Sequence, residues 1–274
     1  MAERSTKIVM ISALVVITLI AGAYTWKTGF GESAEARAVT YVHPSSPSAI
    51  ALIPSPKPSR SSAPPLGPGT DGPYGSRQTT EGTTVALTFD DGPDPRYTPQ
   101  VLALLRRYQV KATFCVVGVQ AQAYPNLIRQ IAAEGHTLCN HSWQHDFDLG
   151  SRPPAEIRAN LARTTAVIRA AAPGTPVPYF RQPGGYWTAA VVAEARRLGM
   201  TSLDWAVDPR DWENPVADQI ASMVISTTTA GAIILLHDGG GNRSATVAAL
   251  QRILPELSER FTLAALPSGG AASN

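Results

Sequence analysis

Two of the five histidines, His141 and His145, stand four residues apart in HSWQH. Alone, that spacing is a weak sign of a metal site. Other ionisable groups come in short clusters elsewhere: FDDGPDP with Asp90 and Asp91, RQPGG with Arg181, DWAVDPRDW with Asp208, Asp211 and Trp212, and LLHDGGG with His237 and Asp238. Each cluster taken singly has a structural explanation, such as turn chemistry for Asp-Gly-Pro-Asp-Pro or a surface ion pair for Arg181. Taken together they offer a reaction. Two neutral imidazoles and one carboxylate are a common three-ligand set for a catalytic zinc-type ion, with a position left for water. Such an ion lowers the pKa of water and polarises an acyl oxygen. Adjacent Asp90 and Asp91 cannot be equivalent, because neighbouring side chains at a strand end point in different directions. One can bind metal while the other takes a proton, and an arginine beside the latter keeps it ionised. His237 can donate a proton to a leaving group, held in the right state by a carboxylate. The chemistry these types describe is metal-assisted acyl hydrolysis.

Those groups need a scaffold that brings them together. From Thr84 onward, short β-rich runs alternate with helix-length segments. The expected strands are Thr84 to Thr88, Ala112 to Val117, His136 to Cys139, Pro178 to Phe180, Met200 to Asp204, Ala232 to His237 and Phe261 to Ala265. Between them lie TPQVLALLRRY, YPNLIRQIAAEG, PAEIRANLARTTAVIRAAAP, TAAVVAEARRLG, VADQIASMVISTT and SATVAALQRILPELSER. In the second of these, Leu127, Ile128 and Ile131 keep helical spacing and Gly135 can stop the helix. Alternation of this kind implies a parallel sheet with helices outside it. Seven strands imply an α/β fold of the incomplete (β/α)-barrel type, whose chemistry sits at the C-terminal strand ends. The ionisable clusters follow the first, third, fourth, fifth and sixth of these strands, and so share one rim.

The remaining composition sets the context. The chain has 274 residues, of which 44% are hydrophobic and 16% charged, with a net charge of +2. That balance permits a substantial core and is too mild for a nucleic-acid partner, and no basic stripe interleaved with aromatics is present. Arg4 and Lys7 precede an uncharged stretch from Ile8 to Trp26, and Lys27 closes it. As a helix it would span roughly 28 Å at about 1.5 Å per residue. Residues 1–29 therefore suit a secretory signal or a membrane anchor through residues 8–26, and either places the rest outside the membrane. Residues 30–83 are dense in Pro, Ser and Gly and are expected to be a disordered linker. The catalytic domain is expected over 84–266, with a flexible tail over 267–274. Cys115 and Cys139 are either two buried thiols or, where the second and third strands are neighbours, a disulfide.

TFDDGP (Thr88 to Pro93), HSWQH, RQPGG, DPRDW (Asp208 to Trp212) and LLH (Leu235 to His237) resemble the five ordered motifs of the polysaccharide deacetylases, the NodB-homology group or carbohydrate esterase family 4. The resemblance covers about Thr84 to Leu266. It implies a distorted (β/α) barrel of seven strands. It implies Asp90 as general base, Asp91, His141 and His145 as metal ligands, Arg181 as the tether of the base, and His237 as general acid oriented by Asp211. Leu235 and Trp212 match the apolar wall for the acetyl methyl. The family's metal is usually zinc, sometimes cobalt or another divalent ion. The third motif departs from the usual R-P-P-Y-G, because Gln182 and Gly184 stand where Pro and Tyr are common. Gly184 keeps the backbone N–H that serves the oxyanion, while Tyr186 or Trp187 is left to stack on a sugar. The implied function is removal of N-acetyl groups from a polymer of N-acetylglucosamine, peptidoglycan or chitin, at the cell surface. An acetylxylan O-esterase and a catalytically silent sugar-binding protein are the alternatives. A two-carboxylate glycosidase fits poorly, since its carboxylates face each other across the scissile bond.

Overall fold

A computed structural model of the chain describes residues 64–269. The hydrophobic stretch 8–26, most of the expected linker and the last residues of the expected tail lie outside the described residues. Among the described residues, no helix is long and apolar enough to cross a membrane.

The elements run β1 (Ala86–Asp90), α1 (Thr98–Arg107), β2 (Thr113–Val116), α2 (Gly118–Ala123), α3 (Pro125–Ala133), β3 (Thr137–Asn140), α4 (Pro154–Ala171), β4 (Tyr179–Phe180), α5 (Ala189–Arg197), β5 (Thr201–Ser202), α6 (Ala217–Thr227), β6 (Ile233–His237) and α7 (Ser244–Arg260). The strands form one curled parallel sheet in the order β5-β4-β3-β2-β1-β6. Nearly every strand residue is buried, as parallel strands covered on both faces require. The period of two sorts their side chains. Leu87, Phe89, Phe114, Val116, Leu138, Ile234 and Leu236 pack in one cluster with helix residues such as Val101, Leu105, Ile128, Leu250 and Leu254. The alternate residues Ala86, Cys115, Cys139, Tyr179 and Ile233 pack with Leu203 and Leu266 in a second cluster inside the curl. By the same alternation, Thr88, Asp90, Leu235 and His237 face inward.

The sheet has six strands, not the seven expected. Phe261 to Ala265 has strand composition, but only Leu263 bridges, to Val85 at the start of β1. Beyond it the chain crosses the strand starts instead of running beside them. Leu266 N–H donates to Thr113 Oγ1, Thr137 Oγ1 donates to Leu266 O, and the Tyr179 hydroxyl donates to Pro267 O. Residues 261–268 thus plug the bottom of the curl, so the start of the expected flexible tail is packed. The expected linker needs the same correction from residue 64 on. Residues 76–80 close the gap between β5 and β6. Arg77 N–H donates to Ser202 O and Asp204 N–H to Arg77 O, while Ile233 N–H donates to Gln78 O. Arg77 is buried, and its guanidinium donates to the carbonyls of Gly67 and Pro68 and to Glu81. Turn-rich composition hid this because the partners that satisfy Arg77 exist only in the folded chain.

Cys115 and Cys139 sit opposite one another on β2 and β3 with Cα atoms 4.2 Å apart, and they are joined by a disulfide. A cross-link spanning 24 residues is worth about 3 kcal/mol by loop entropy.

The packing of residues 64–83 yields a prediction. A chain trimmed to start at Thr84 loses Arg77 and the closing segment, and it should be less stable than one starting at Pro64 by about 3 kcal/mol or more. Denaturant titration of the two checks this, and equal midpoints would refute it.

Candidate active site

The inward face of β1 and β6 supplies the first pair of groups. Register places Asp90 opposite His237 on the neighbouring strand. Asp91, one residue beyond β1, has a left-handed backbone with φ 72°, and so do Ser142 (φ 63°) and His145 (φ 60°) after β3. Such conformations cost of order 1 kcal/mol or more each for a non-glycine residue and persist only where the surroundings fix them. They lie in the turns from which the side chains of Asp91, His141 and His145 converge.

Asp91 Oδ1 lies 3.1 Å from His145 Nε2 and 3.4 Å from His141 Nε2. The ligand atoms of Asp91, His141 and His145 all fall within 4.8 Å of one another. Ligands bound at about 2.0–2.1 Å around a tetrahedral ion stand about 3.3 Å apart, so the spacing fits a zinc-like ion. His141 Nδ1 is 2.9 Å from the carbonyl of Arg181. Donation to that carbonyl leaves the Nε2 lone pair free, the usual arrangement behind a metal-bound histidine. Asp91 Oδ1 is buried with no hydrogen-bond partner. Converging lone pairs around an unpartnered carboxylate oxygen are the arrangement a cation resolves. Burial pushes the Asp91 carboxyl up, and donation with positive charge from His141 and His145 would hold it well below the usual carboxylate range, a pull that a cation at this point supplies in their place.

Asp90 is buried next to this point. Its Oδ1 accepts from Arg181 Nη1 at 2.8 Å, and its Oδ2 lies 3.6 Å from His141 Nε2. Arg181 is fully buried, and it also donates to Thr88 Oγ1 and to the carbonyls of Leu203 and Asp204. The second pair is as firmly fixed. His237 Nδ1 is 2.6 Å from Asp211 Oδ1. Asp211 Oδ2 accepts from the His237 backbone N–H and from Thr246 Oγ1, and Arg243 donates to the Asp211 carbonyl. Burial pushes the His237 imidazole down. Asp211, with Asp91 and Asp90 beyond it, outweighs that and raises its pKa to about 8.

These groups open onto a cavity of about 690 Å³. Asp90, Asp91, His141, His145, Gly184, Tyr186, Trp212, Leu235 and His237 line it, while Arg181 and Asp211 stand behind its wall. Trp187 does not take part. It is buried, and its indole N–H donates to Asp204 Oδ1. Tyr186, 63% exposed, is the aromatic residue at the rim. Both departures in the third motif have a structural counterpart. The Gln182 amide donates to the carbonyls of Asp146 and Phe147. Gly184 has φ 63°, and a Cβ there would come within 2.8 Å of the Phe147 ring and 2.7 Å of Tyr186. Thr88, Phe147, Gln182, Trp205, Arg243 and Thr246 were not legible as site residues. Asp208, in the DPRDW cluster, also lines the cavity, and burial raises its pKa.

A family model described as polysaccharide deacetylase matches residues 77–203. A chitooligosaccharide deacetylase of Sinorhizobium fredii is 39% identical over 70% of this chain and 94% of its own length. A peptidoglycan-N-acetylglucosamine deacetylase of Bacillus cereus is 43% identical over 64% of this chain and 82% of its own. The crystal structure of the Bc1960 peptidoglycan N-acetylglucosamine deacetylase superposes with a TM-score of 0.65 at 33% identity, covering 74% of this chain and 92% of that one. The chain belongs to the polysaccharide deacetylase family. It is accordingly an enzyme, a hydrolase of carbon–nitrogen bonds.

The His237–Asp211 pair yields a prediction with a definite sign. A proton donor whose pKa is raised holds its proton below that pKa and loses it as pH rises through it. Activity that needs protonated His237 therefore falls on the alkaline side. Asp211→Asn removes the first of the charges that favour imidazolium and should move that limb down by about one pH unit. A pH profile of kcat/KM for both proteins checks this; an unmoved limb would separate His237 from the titration.

Proposed function

We propose that the protein is a metal-dependent N-deacetylase of an N-acetylglucosamine polymer, peptidoglycan or chitin, acting on the outer side of the cell membrane. One observation carries the reading. The Asp91–His141–His145 convergence shares one cavity with a carboxylate fixed by a buried arginine and a histidine fixed by a buried aspartate. The first pair is built to take a proton and the second to give one. The relatives named above act on chitooligosaccharide or peptidoglycan N-acetylglucosamine, which share the acetamido sugar. The disulfide suits an oxidising compartment, and the uncharged stretch 8–26 suits export or anchoring.

In this reading Asp91, His141 and His145 hold the divalent ion, zinc or cobalt. When bound, the ion polarises the acetyl carbonyl and makes a nearby water more acidic. Asp90 takes the proton from the attacking water through its free oxygen, while Arg181 holds the carboxylate in place. The Gly184 N–H stabilises the negative charge that develops on the acetyl oxygen. Leu235 and Trp212 enclose the acetyl methyl. His237 has Nδ1 committed to Asp211, so it delivers its proton from Nε2 to the departing sugar nitrogen. Water adds across the C–N bond, giving acetate and a free amine.

The test is acetate release from peptidoglycan, a chitin oligomer and acetylxylan by the chain from Pro64 onward, with and without zinc or cobalt. Metal-dependent release from one or both N-acetylglucosamine substrates is expected. Asp90→Ala should lower turnover by about 10³-fold, within the range for loss of a general base, and still bind metal. His141→Ala should lose both. Release from acetylxylan alone would make the protein an esterase, and sugar binding without release would make it a binding protein. Near-normal turnover by Asp90→Ala would overturn the role of the base.

A further inference from the structure

The base is held by an arginine, and the arginine is held in part by a stretch of chain that the sheet does not fix. Arg181 reaches four acceptors, and two of them are the carbonyls of Leu203 and Asp204, at 3.3 and 3.0 Å. Both follow β5, which has two residues and lies at the edge of the sheet beside β4. An edge strand leaves one row of backbone groups without a strand partner. Something outside the sheet therefore has to set where those carbonyls stand.

The support arrives from two directions and meets on the Asp204 side chain. Asp204 Oδ2 accepts from Gln78 Nε2 at 2.8 Å, and Asp204 Oδ1 accepts from Trp187 Nε1 at 3.2 Å. Gln78 lies 126 residues earlier in the chain, in the segment that closes the gap between β5 and β6. Its carbonyl accepts from Ile233 N–H, so its backbone is fixed on β6 while its amide reaches Asp204. Asp204 N–H donates to Arg77 O in the same segment. Asp204 itself is buried. Desolvating a carboxylate is costly, and an apolar side chain would fill the same space without that cost. What the carboxylate adds is geometry, with one acceptor for each of two converging donors. Neither Gln78 nor Asp204 lines the cavity. The path from them to the reaction runs through Arg181 to Asp90.

We propose that Gln78 and Asp204 are positioning residues for the base. The segment before β1 sets, through Asp204, the carbonyls that aim the Arg181 guanidinium at Asp90. This rests on the reading of Asp90 as the base given above, and it extends the reacting unit to a residue ahead of the first motif.

The experiment uses the full chain loaded with zinc and the β-1,4-linked N-acetylglucosamine tetramer. Gln78→Leu keeps the bulk and removes the amide, while Asp204→Asn leaves one acceptor for two donors. Each should lower kcat about tenfold or more, as a small misplacement of a reacting group does, with KM and zinc affinity within about twofold of the parent. In an Arg181→Lys background, where the tether is already broken, Gln78→Leu should change kcat by less than about twofold, whereas a general loss of stability would act in both backgrounds. A second readout needs no turnover. The Arg181 Nε–H signal of the ¹⁵N-labelled protein, identified by its absence from Arg181→Lys, should exchange with solvent about tenfold faster in Gln78→Leu. Exchange indifferent to Gln78, an unchanged kcat, or equal losses in the two backgrounds would overturn the proposal. No acetate release by the parent, with exchange still dependent on Gln78, would sink the deacetylase reading and leave the tether standing.

Discussion

The guanidinium of Arg181 is a charge with no access to water, and the site is arranged around it. Removing an ion from solvent costs several kcal/mol even after the protein relaxes. That cost is offset when its donors find acceptors, and four of the five donors in the arginine fork do so here. Here the fork meets the Asp90 carboxylate, the Thr88 hydroxyl and the carbonyls of Leu203 and Asp204. These partners come from β1 and from the chain after β5, while Arg181 itself follows β4. One side chain therefore ties the curl together at the end where the chemistry lies. Its own carbonyl faces His141 Nδ1. The same residue thus fixes the orientation of Asp90 and the tautomer of a neighbouring histidine of the candidate metal site.

Much of this was open to reading in the sequence, and the reason is physical. A parallel strand buried on both faces must be short, apolar and bounded by turns, so the six strands of the sheet announce themselves. A barrel-type sheet gathers polar side chains at its strand ends, so Asp90, Asp91, His141, His145, Arg181, Asp211 and His237 appear as polar clusters at or after the C-terminal ends of strands. What escaped were features decided by distant partners. Phe261 to Ala265 has the composition of a strand, yet its hydrogen bonds go to strand starts and to the Thr113 side chain, and one bridge does not make a strand. Residues 64–83 have the composition of a linker, yet Arg77 finds carbonyls and an edge to close.

The site shows the same division. The types and spacing of the metal-site residues follow from what a cation needs. The positive φ of Asp91, Ser142 and His145 does not, because non-glycine residues carry no local mark of it. Thr246 looks like any buried position on the inner face of α7, and its bond to Asp211 becomes visible only when α7 packs behind β6. Phe147 and Gly184 are far apart in sequence. The glycine that looked like a lost aromatic is the vacancy that lets a different aromatic, from the loop after β3, approach the same wall.

The crowding of carboxylates around His237 explains why Asp211 is held so firmly. Burial raises Asp238 to about 7 and also raises Asp208. His237 is raised by Asp211 first, and by Asp91 and Asp90 after it. The last two face the cluster that suits a cation, and positive charge placed there opposes their effect on His237. Asp211 is buried and does not line the cavity, and it is pinned by the His237 backbone N–H and Thr246. Its attraction for the imidazolium is therefore the part that survives when the other two are neutralised. A proton donor beside a metal site needs such a partner, close enough to dominate and too well held to turn toward the cation.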